Sequence, residues 1–550
     1  MPKTVIIGGV AGGASCAARL RRLNEKMEII ILEKGDYISF ANCGLPYHVG
    51  GVIESKNALL LQSPEMMKSR FNIEVRVNNE VTAINPEEKY VTVLNKDRQP
   101  YKETYDYLVI ATGSSPVRPN IPGIDSKKIR TIWNVNDAVT IKAMVNNEDL
   151  QDICIVGAGF SGLEMADNLV KAGKKVTLVE GSNQIMNNID YEMSLMVQKT
   201  LINQGIDLHL NSMVAGFEEK DDDRITVYLN NDENIEADLV IMAIGVKPNS
   251  QLAKQAGLKL NERGGIVVDE QLKTSDPYIY AAGDVIEVED FVSKEKAMIP
   301  LAGPANKQGR MVADNICGLN ESYHGTQGTF IARIFSLTVA ATGKKEADLK
   351  KKGLTRGKDY EVIAISANNH AMYYPGARPL MIKVIFDCNT LHILGAQIVG
   401  EEGTDKRIDV LATAMRFQAK ITDLKELELA YAPPYSSAKD PVNMVGYTAE
   451  NVIKGLEYFA EYNEIENNPE AICLDVRELR EVQAFAIPEA IHIPLGSLRE
   501  NLDKLDKNKT IIVMCAAGVR AHTASRILQN HGFDKVKVYP GGARFYRLTH

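Results

Sequence analysis

A glycine-rich strand–turn–helix pattern occurs twice in this chain of 550 residues, and it limits the folds that the chain can adopt. The first copy has an apolar run at 5–7, a glycine-rich turn at 8–13, a helical stretch at 14–23 and a second apolar run at 29–32 that ends in Glu33. Such a turn directs backbone N–H groups and a helix N-terminus at a pyrophosphate, while the carboxylate can accept a hydrogen bond from a ribose hydroxyl. The pattern predicts a Rossmann-like dinucleotide-binding module.

The second copy keeps every glycine of the dinucleotide fingerprint. It has an apolar run at 153–156, the turn at 157–162, a helical stretch at 163–172 and a strand at 175–179 that ends in Glu180. The same physical argument applies to it, because the glycines, the helix start and the terminal carboxylate stand in the same order. The chain is therefore expected to bind two nucleotides.

Similar elements close the two copies, at 106–113 and 238–245, so the chain contains an internal repeat. The first copy departs from the fingerprint at one position, where Val10 replaces the middle glycine. A third strand end, at 280–285, brings a glycine next to Asp284, whose carboxylate suits a ribityl hydroxyl. These elements favour nucleotide binding over a purely structural turn.

Cys43 lies one loop downstream of the first glycine turn, in the segment 39–47. Enzymes that reduce disulfides commonly carry two neighbouring thiols, one to attack and one to resolve, but the residue five positions further on is His48. If Cys43 is catalytic, its sulfur partner must come from outside the loop, as a small thiol or a sulfane sulfur.

Composition and charge exclude several classes of partner. The net charge of −8 and the pI near 5.8 argue against binding to nucleic acid or to an anionic membrane. The start of the chain lacks a signal-peptide pattern, and no apolar run approaches the roughly 18 residues that span a bilayer. No cysteine or histidine pair has metal-ligand spacing, so no metal is expected. We expect a soluble cytoplasmic protein.

The cysteines support the same expectation. Seven cysteines, odd in number and widely spaced, predict a reducing environment rather than a disulfide framework. Cys43 and the C-terminal Cys515 are the candidates for chemistry. The remaining five are expected to be small core residues, namely Cys16, Cys154, Cys317, Cys388 and Cys473.

The two glycine turns, the lone Cys43 and the segment 280–285 together resemble the pyridine nucleotide-disulfide oxidoreductase family over about residues 1–450. The resemblance implies FAD on the first module and NAD(P)H on the second, and it implies a homodimer. The implied domains are an FAD-binding domain (1–113 and 246–325), an NAD(P)H-binding domain (114–245) and a dimerisation domain (326–450). The predicted fold class is α/β, with two Rossmann-like domains followed by an α+β dimerisation domain.

The same resemblance assigns the nucleotide contacts. For FAD they are Gly8, Ala11, Gly12, Gly13, Glu33, Lys34, Val81, Ala111, Thr112, Gly113 and Asp284. For NAD(P)H they are Gly157, Gly159, Phe160, Gly162, Glu164, Glu180 and Gly245. Glu180 favours NADH, because a carboxylate repels the 2′-phosphate of NADPH. Lys174 and Lys175 lie nearby and keep NADPH open as the second candidate.

The loop around Cys43 resembles that of the coenzyme A disulfide reductases within this family. The resemblance implies that coenzyme A contacts Ser15, Arg19, Arg22, Ser39, Asn42, Asn306 and Lys439, with Arg70 and Lys68 as further phosphate contacts. It also implies that Tyr373 and Tyr431 reach into the partner subunit's site and donate a proton to a leaving thiolate, ahead of their neighbours Tyr374 and Tyr435.

The last hundred residues form a separate pattern. A helix is expected at 449–462 and a polar linker at 463–469, followed by strands at 472–477 and 510–514. The second of these strands runs into the loop 515–520, which places several backbone N–H groups and Arg520 around the Cys515 sulfur.

Residues 463–550 resemble a rhodanese sulfurtransferase, which adds a C-terminal α/β domain to the predicted fold. Asp475 and His492 are expected to be structural there.

The leading hypothesis is an FAD-dependent NADH reductase of coenzyme A persulfides, polysulfides or disulfides. In it, Cys515 carries sulfane sulfur toward Cys43 and sulfide or thiol is released. Two alternatives stay open. One is an NADH oxidase or peroxidase with a sulfenate on Cys43, which Val10 disfavours because a histidine is typical of that loop in such enzymes. The other is a C-terminal module that only senses sulfur or docks a partner.

Overall fold

The computed structural model divides the chain into two compact units. It describes residues 1–220 and 223–550. The first unit consists of Met1–Ile185 and Gln204–Gly328, and the second consists of Met186–Asn203 and Thr329–His550. Within the described ranges, no helix is both long enough and apolar enough to cross a membrane.

A parallel five-stranded sheet forms the base of the first module. Its strands, in spatial order, are Ile279–Ala281, Tyr107–Ile110, Lys3–Ile7, Glu28–Leu32 and Glu74–Arg76. The three central strands are buried from their second residue onward, as expected for parallel strands that are covered on both faces. Because Ile279–Ala281 pairs with Tyr107–Ile110, the chain returns to this sheet after the second module.

The second module has a parallel five-stranded sheet of the same kind. Its strands, in spatial order, are Asp207–His209, Lys175–Val179, Asp152–Val156, Leu239–Met242 and Ile129–Arg130. In both modules a helix follows the first strand directly, as Ala11–Leu23 in one and Phe160–Lys171 in the other. The predicted internal repeat is therefore a repeat of three-dimensional structure.

Antiparallel sheets and short helices complete the first unit. The three-stranded sheets are Glu80–Asn85, Tyr90–Leu94 and Pro100–Thr104, and Val214–Glu219, Ile225–Leu229 and Asn234–Ala237. The two-stranded pairs are Ser114–Pro116 with Val246–Pro248, and Val288–Glu289 with Lys296–Ala297. The further helices are Leu45–Val49, Pro64–Phe71, Val135–Val145, Gln251–Gln255 and Ala302–Ile316, with 3₁₀ turns at Asn42–Gly44 and Lys56–Leu59.

The second unit contains an antiparallel five-stranded sheet. Its strands, in spatial order, are Phe330–Ile334, Leu337–Gly343, Ile393–Gly400, Pro379–Asp387 and Tyr360–Asn368. Its α-helices are Tyr191–Asn203, Glu346–Lys351, Thr404–Arg416 and Pro441–Ile453, with a 3₁₀ helix at Ile421–Glu426.

A parallel four-stranded sheet follows at the end of the chain. Its order is Ile491–His492, Ile472–Asp475, Ile511–Met514 and Val536–Val538. The α-helices around it are Glu464–Asn467, Leu479–Ala484, Val519–Asn530 and Gly542–Thr549, with 3₁₀ turns at Leu495–Glu500 and Leu502–Lys504. The strand Ile511–Met514 is fully buried and ends next to Cys515.

The helix expected at 449–462 is wrong in its bounds. The helix is Pro441–Ile453, and Gly455 follows it with a φ of +67°, a left-handed conformation that ends a helix. The next residues are extended instead, since the Val538 N–H donates to Tyr458 O at 2.7 Å and the Ala460 N–H donates to Val538 O at 3.0 Å. This segment lengthens the edge of the C-terminal sheet, where the sequence suggested only a connecting helix.

A buried lysine joins three segments of the second unit. The Lys383 ammonium lies 2.9 Å from Asp190 Oδ2 and 2.7 Å from Glu346 Oε2, and it also contacts Glu192. These three carboxylates form the one group in the described residues with the spacing of a metal site. The Lys383 ammonium pairs with all three carboxylates and so supplies the positive charge that a metal ion would otherwise provide. Its charge holds the pKa of Glu346 at about 2 against the opposing effect of burial.

Replacing Lys383 with methionine is expected to destabilise the second unit strongly. Two buried carboxylates and the partly buried Glu192 would lose their cation, and breaking a buried ion pair costs about 3–5 kcal/mol. Urea unfolding followed by circular dichroism measures this loss. Lys350→Met is the matched control, because Lys350 pairs with Glu346 at 2.9 Å but is 52% exposed, so its loss should cost less than about 1 kcal/mol. Equal effects of the two variants would contradict the account.

Candidate functional site

Both glycine turns are fixed by close backbone approach. A Cβ on Gly13 would lie 1.9 Å from Gly8 O, and a Cβ on Gly162 would lie 1.9 Å from Gly157 O. Gly8 and Gly157 also have φ values of +99° and +104°, which favour glycine. The helix can therefore start directly under the strand end in each module, with its first N–H groups directed at the turn.

The carboxylates that end the second strands are held by these turns. Glu33 Oε2 accepts the Gly9 N–H at 2.9 Å, and Glu180 Oε2 accepts the Ala158 N–H at 2.9 Å. A carboxylate fixed at this point is acceptor-only, so it can receive a hydroxyl donor and repels a phosphate. The geometry thus suits a ribose hydroxyl in both modules.

The first module offers a further polar contact and open space for FAD. The Ser114 hydroxyl donates to Asp284 Oδ2 at 2.9 Å, and burial raises the pKa of Asp284. A Cβ on Gly113 would meet nothing within 4 Å. Thr112 Oγ1 donates to Asn249 O at 2.7 Å, while Val81 is buried and Lys34 is exposed. The residues that surround this turn fit the flavin nucleotide.

The second module fits a nucleotide whose 2′-position is a hydroxyl. A Cβ on Gly159 or Gly245 would meet nothing within 4 Å, so the backbone is open on that side. Lys174, considered as a phosphate contact, is buried and its ammonium donates to Leu150 O at 2.6 Å and to Asn147 O at 3.0 Å. The Lys174 ammonium is thus bonded to backbone carbonyls away from the turn and does not offer a charge to a 2′-phosphate, which favours NADH over NADPH.

Cys43 lies in the 3₁₀ turn Asn42–Gly44, directly before the helix Leu45–Val49. The loop is held to the first module because the Ser39 N–H donates to Gly9 O at 2.8 Å. It is held to the second module by close packing, since a Cβ on Gly50 would lie 2.6 Å from the Asn168 side chain. Cys43 therefore stands between the two nucleotide modules of the same unit.

The protein groups around Cys43 raise its pKa. The thiol is exposed, but partial burial raises the pKa, and the carboxylates of Glu164 and Asp284 raise it further. Burial also raises the pKa of Glu164 to about 7. Burial and the two carboxylates thus favour the neutral thiol.

Several residues expected to contact coenzyme A lie together on the first unit. Ser15 Oγ donates to Asn306 Oδ1 at 2.6 Å, which joins the helices Ala11–Leu23 and Ala302–Ile316. Arg19 does not stand free, because its Nε donates to Asp314 Oδ1 at 2.6 Å. The Arg22 guanidinium lies 5.3 Å from the centre of the Phe71 ring. Both arginines therefore have partners within the protein, and their contact with coenzyme A stays a prediction.

The other expected contacts are more dispersed. Asn42 flanks Cys43 in the same turn, and Arg70 is exposed in the last turn of Pro64–Phe71. Lys439 belongs to the second unit, where its ammonium lies 6.0 Å from the centre of the Tyr447 ring.

The two expected tyrosines form a pair in the second unit. The hydroxyls of Tyr373 and Tyr431 are 2.8 Å apart, although 58 positions separate them in the chain. Both side chains are exposed, at 75% and 46%. The hydrogen bond to Tyr431 raises the pKa of Tyr373, so this hydroxyl keeps its proton at neutral pH. An exposed pair of hydroxyls can donate a proton to a neighbouring molecule.

Cys515 lies at the carboxyl end of a buried strand, at the start of a loop that leads into the helix Val519–Asn530. The Gly518 N–H donates to its sulfur at 3.0 Å, and the cysteine is only 2% exposed. Gly518 adopts a φ of +122°, which turns the loop back over the sulfur. A backbone loop of this form stabilises an anionic sulfur.

Arg520 is engaged differently from the expectation. Its Nη1 and Nη2 donate to the two carboxylate oxygens of Glu481 at 2.6 and 2.7 Å. The pair lowers the pKa of Glu481 to about 2. Sequence reasoning assigned the charge of Arg520 to the Cys515 sulfur and missed Glu481. No local signal pointed to this pair, because 39 positions separate Glu481 from Arg520.

Structural roles explain the other polar residues of this region. Arg477 Nη2 donates to Asp475 Oδ2 at 2.6 Å, and both residues are buried. His492 Nε2 lies 2.8 Å from Arg477 O. These contacts join the starts of two loops and leave Asp475 and His492 with the structural roles that the sequence predicted.

All seven cysteines lie in the described ranges and are free thiols. Cys16, Cys154 and Cys473 are buried, and Cys317 and Cys388 are partly buried. Burial raises the pKa of Cys154 and of Cys473 to about 12 each, so neither is a reactive thiolate at neutral pH.

Three family models match successive parts of the chain. Residues 2–309 match the pyridine nucleotide-disulphide oxidoreductase model, and residues 331–443 match the dimerisation domain of the same family. Residues 459–546 match the rhodanese-like domain. The predicted fold class, with two Rossmann-like modules, an α+β domain and a C-terminal α/β domain, is confirmed.

Characterised relatives agree with these matches. Coenzyme A disulfide reductase of Staphylococcus aureus is 37% identical over 452 residues, which cover 82% of this chain and 100% of that protein. The crystal structure of reduced Bacillus anthracis CoADR-RHD is 47% identical with a TM-score of 0.95, covering 100% of this chain and 98% of that one. A NAD-dependent persulfide reductase from A. fulgidus is 36% identical with a TM-score of 0.92, covering 99% and 100%.

The raised pKa of Cys43 predicts how its reactivity depends on pH. In protein freed of flavin, alkylation of Cys43 should have a midpoint above 9.0, the ordinary value for a thiol. Because Glu164 contributes a negative charge, Glu164→Gln should move the midpoint downward. Mass spectrometry after timed alkylation at a series of pH values gives the alkylation rate of each protein and hence its midpoint. Glu54→Gln, an exposed carboxylate in the same region, should leave the midpoint unchanged, and an unchanged midpoint in Glu164→Gln would refute the assigned cause.

Proposed function

Because the chain belongs to the pyridine nucleotide-disulphide oxidoreductase family, we propose that it is an FAD-dependent NADH reductase of coenzyme A disulfides and persulfides. One observation carries the proposal. A lone cysteine stands between two nucleotide modules, and the same chain holds a second, buried sulfur, on Cys515, which accepts the Gly518 N–H.

The lone cysteine determines the type of substrate. Cys43 has no neighbouring thiol within its loop, so the disulfide it forms must be with an external thiol. The unit that holds Cys43 also carries polar and positive side chains that suit a phosphate-bearing thiol, namely Ser15, Asn306 and Arg22. The relatives named for coenzyme A support this choice of thiol.

The proposed reaction begins with thiol–disulfide exchange at Cys43. The Cys43 thiolate attacks one sulfur of coenzyme A disulfide, a mixed disulfide forms on Cys43 as the original S–S bond breaks, and the other coenzyme A leaves as a thiolate that then takes up a proton. FAD, when bound, carries the electron pair from NADH to the sulfur. In total, coenzyme A disulfide, NADH and one proton give two thiols and NAD⁺. For a persulfide, Cys515 first takes up the sulfane sulfur and releases the thiol, and reduction at Cys43 with NADH and one proton then gives hydrogen sulfide and NAD⁺.

We also propose a cytoplasmic homodimer. The match to the family's dimerisation domain supports the dimer, and seven free cysteines with an acidic pI suit the cytoplasm. In the dimer, the Tyr373–Tyr431 pair of one protomer would donate a proton to the thiolate that leaves in its partner. The exposure of both hydroxyls supports that role.

Cys43→Ser tests the assigned reaction. Anaerobic NADH oxidation with coenzyme A disulfide and with coenzyme A persulfide should fall to background in the variant, because no thiolate remains to open the S–S bond. Cys317→Ser is the control, since Cys317 is a partly buried thiol of the same unit. Turnover that survives in Cys43→Ser would overturn the proposal. Rapid NADH oxidation by oxygen alone, with a sulfenate on Cys43, would favour the oxidase alternative.

The choice of nucleotide is a separate prediction. The wild-type kcat/KM should be at least about tenfold higher for NADH than for NADPH, because the Glu180 carboxylate repels the 2′-phosphate. Glu180→Ala should reduce this preference, while Glu233→Ala, which removes an exposed carboxylate paired with His209, should preserve it. A kcat/KM for NADPH that equals that for NADH would contradict the assignment.

A further inference from the structure

The cation available to a ligand near Cys515 is Arg544 rather than Arg520. The Arg520 guanidinium is neutralised by both oxygens of Glu481. Among the described residues, Arg544 has no carboxylate partner, and its one side-chain hydrogen bond there runs from Nη1 to Asn368 Oδ1 at 3.3 Å. A half-buried guanidinium with this weak neutral contact keeps most of its five donors for another molecule.

Backbone contacts fix Arg544 beside the Cys515 loop. The Ala543 N–H donates to Cys515 O at 2.7 Å, and the Arg544 N–H donates to Ala516 O at 3.3 Å. The approach is close, because a Cβ on Gly542 would lie 2.4 Å from Cys515 O. These contacts use main-chain atoms only, so the position of Arg544 does not depend on its side chain.

The Arg544 side chain lines a groove of about 420 Å³. The opposite wall comes from the segment 368–379 and includes Met372, Tyr374 and Pro375. Its size is within the range of small-molecule sites, and its lining combines apolar side chains with a few polar groups, as such sites do. The same segment carries Tyr373, which pairs with Tyr431. Arg544 therefore connects the two features, because its main chain is bonded to the Cys515 loop and its side chain lines the groove.

We propose that this groove binds the phosphate-bearing part of coenzyme A persulfide and that Arg544 selects this carrier for reaction at Cys515. The inference rests on the proposed function, since it names the sulfur carrier that the second site uses. Arg544 would contact a phosphate through charge-assisted hydrogen bonds. The apolar wall formed by Met372, Tyr374 and Pro375 would accommodate the arm that leads to the sulfur.

The transfer step requires no additional oxidant or reductant. The Cys515 thiolate attacks the outer sulfur of the persulfide, the S–S bond of the carrier breaks, and a new S–S bond forms on Cys515. The coenzyme A thiolate leaves, and the persulfide proton stays with the transferred sulfur. Arg544 does not contact the reacting sulfur in this step, so it determines specificity.

Arg544→Gln tests the inference in the full-length, FAD-loaded Cys43→Ser protein, where sulfur cannot pass on to the flavin site. Coenzyme A persulfide and pantetheine persulfide, which lacks the phosphates, are each mixed with the protein under anaerobic conditions. Mass spectrometry of the alkylated protein follows the addition of one sulfur atom to Cys515. The loading efficiency with coenzyme A persulfide should fall about tenfold, as expected for a lost charge-assisted contact. Loading from pantetheine persulfide should stay the same.

Two further variants separate this role from a structural one. Arg544→Lys keeps the charge and should restore most of the preference for coenzyme A persulfide. Arg547 lies on the same helix, but its guanidinium is 6.0 Å from the centre of the Phe485 ring and does not line the groove. Arg547→Gln should therefore leave the loading of Cys515 from both persulfides unchanged. A ratio of the two loading efficiencies that is unchanged in Arg544→Gln would overturn the inference.

The proposed function and this inference fail in different ways. If neither persulfide loads Cys515 in the Cys43→Ser protein that retains Arg544, sulfur handling by Cys515 is wrong and the inference falls with it. If both load, but Arg544→Gln lowers the two efficiencies equally, only the choice of carrier by Arg544 is wrong.

Discussion

The close approach of backbone to backbone at the two glycine turns is the constraint on which the first unit depends. Gly13 and Gly162 each lie so near the preceding turn that a side chain would collide with a carbonyl oxygen at 1.9 Å. This approach brings the helix start, the strand end and the carboxylates of Glu33 and Glu180 together in both modules. It also anchors the Cys43 loop, because Ser39 bonds to Gly9 O in the first turn.

The two candidate sulfurs differ in exposure and in their immediate neighbours. Cys43 is exposed, and partial burial together with the carboxylates of Glu164 and Asp284 raises its pKa, so an external positive group or a bound cofactor has to favour its thiolate. Cys515 is buried and accepts a backbone N–H from Gly518, with the neutralised Arg520–Glu481 pair nearby. An exposed thiol suits exchange with a soluble disulfide, whereas an enclosed one suits storage of a labile sulfur.

Much of the fold could be predicted from the sequence because its signals are local. Glycine turns, apolar strand runs and the loop after Ile511–Met514 each involve neighbouring residues, and the structure has all of them. The misplaced helix at 449–462 shows the limit, since Tyr458 and Ala460 pair with Val538 about eighty positions away. The partners of the site arginines, Asp314 for Arg19 and Glu481 for Arg520, were missed because they too depend on distant chain segments meeting.

In the proposed route, persulfide sulfur enters the chain at Cys515 and leaves as sulfide after reduction at Cys43. A single anaerobic turnover with coenzyme A persulfide, labelled by a heavy isotope in its outer sulfur, tests this claim most directly. Rapid quenching and peptide mass spectrometry should find the label first on Cys515, and the addition of NADH should then release it as labelled sulfide. Labelled sulfide released at the full rate while Cys515 stays unlabelled at every time would contradict the account.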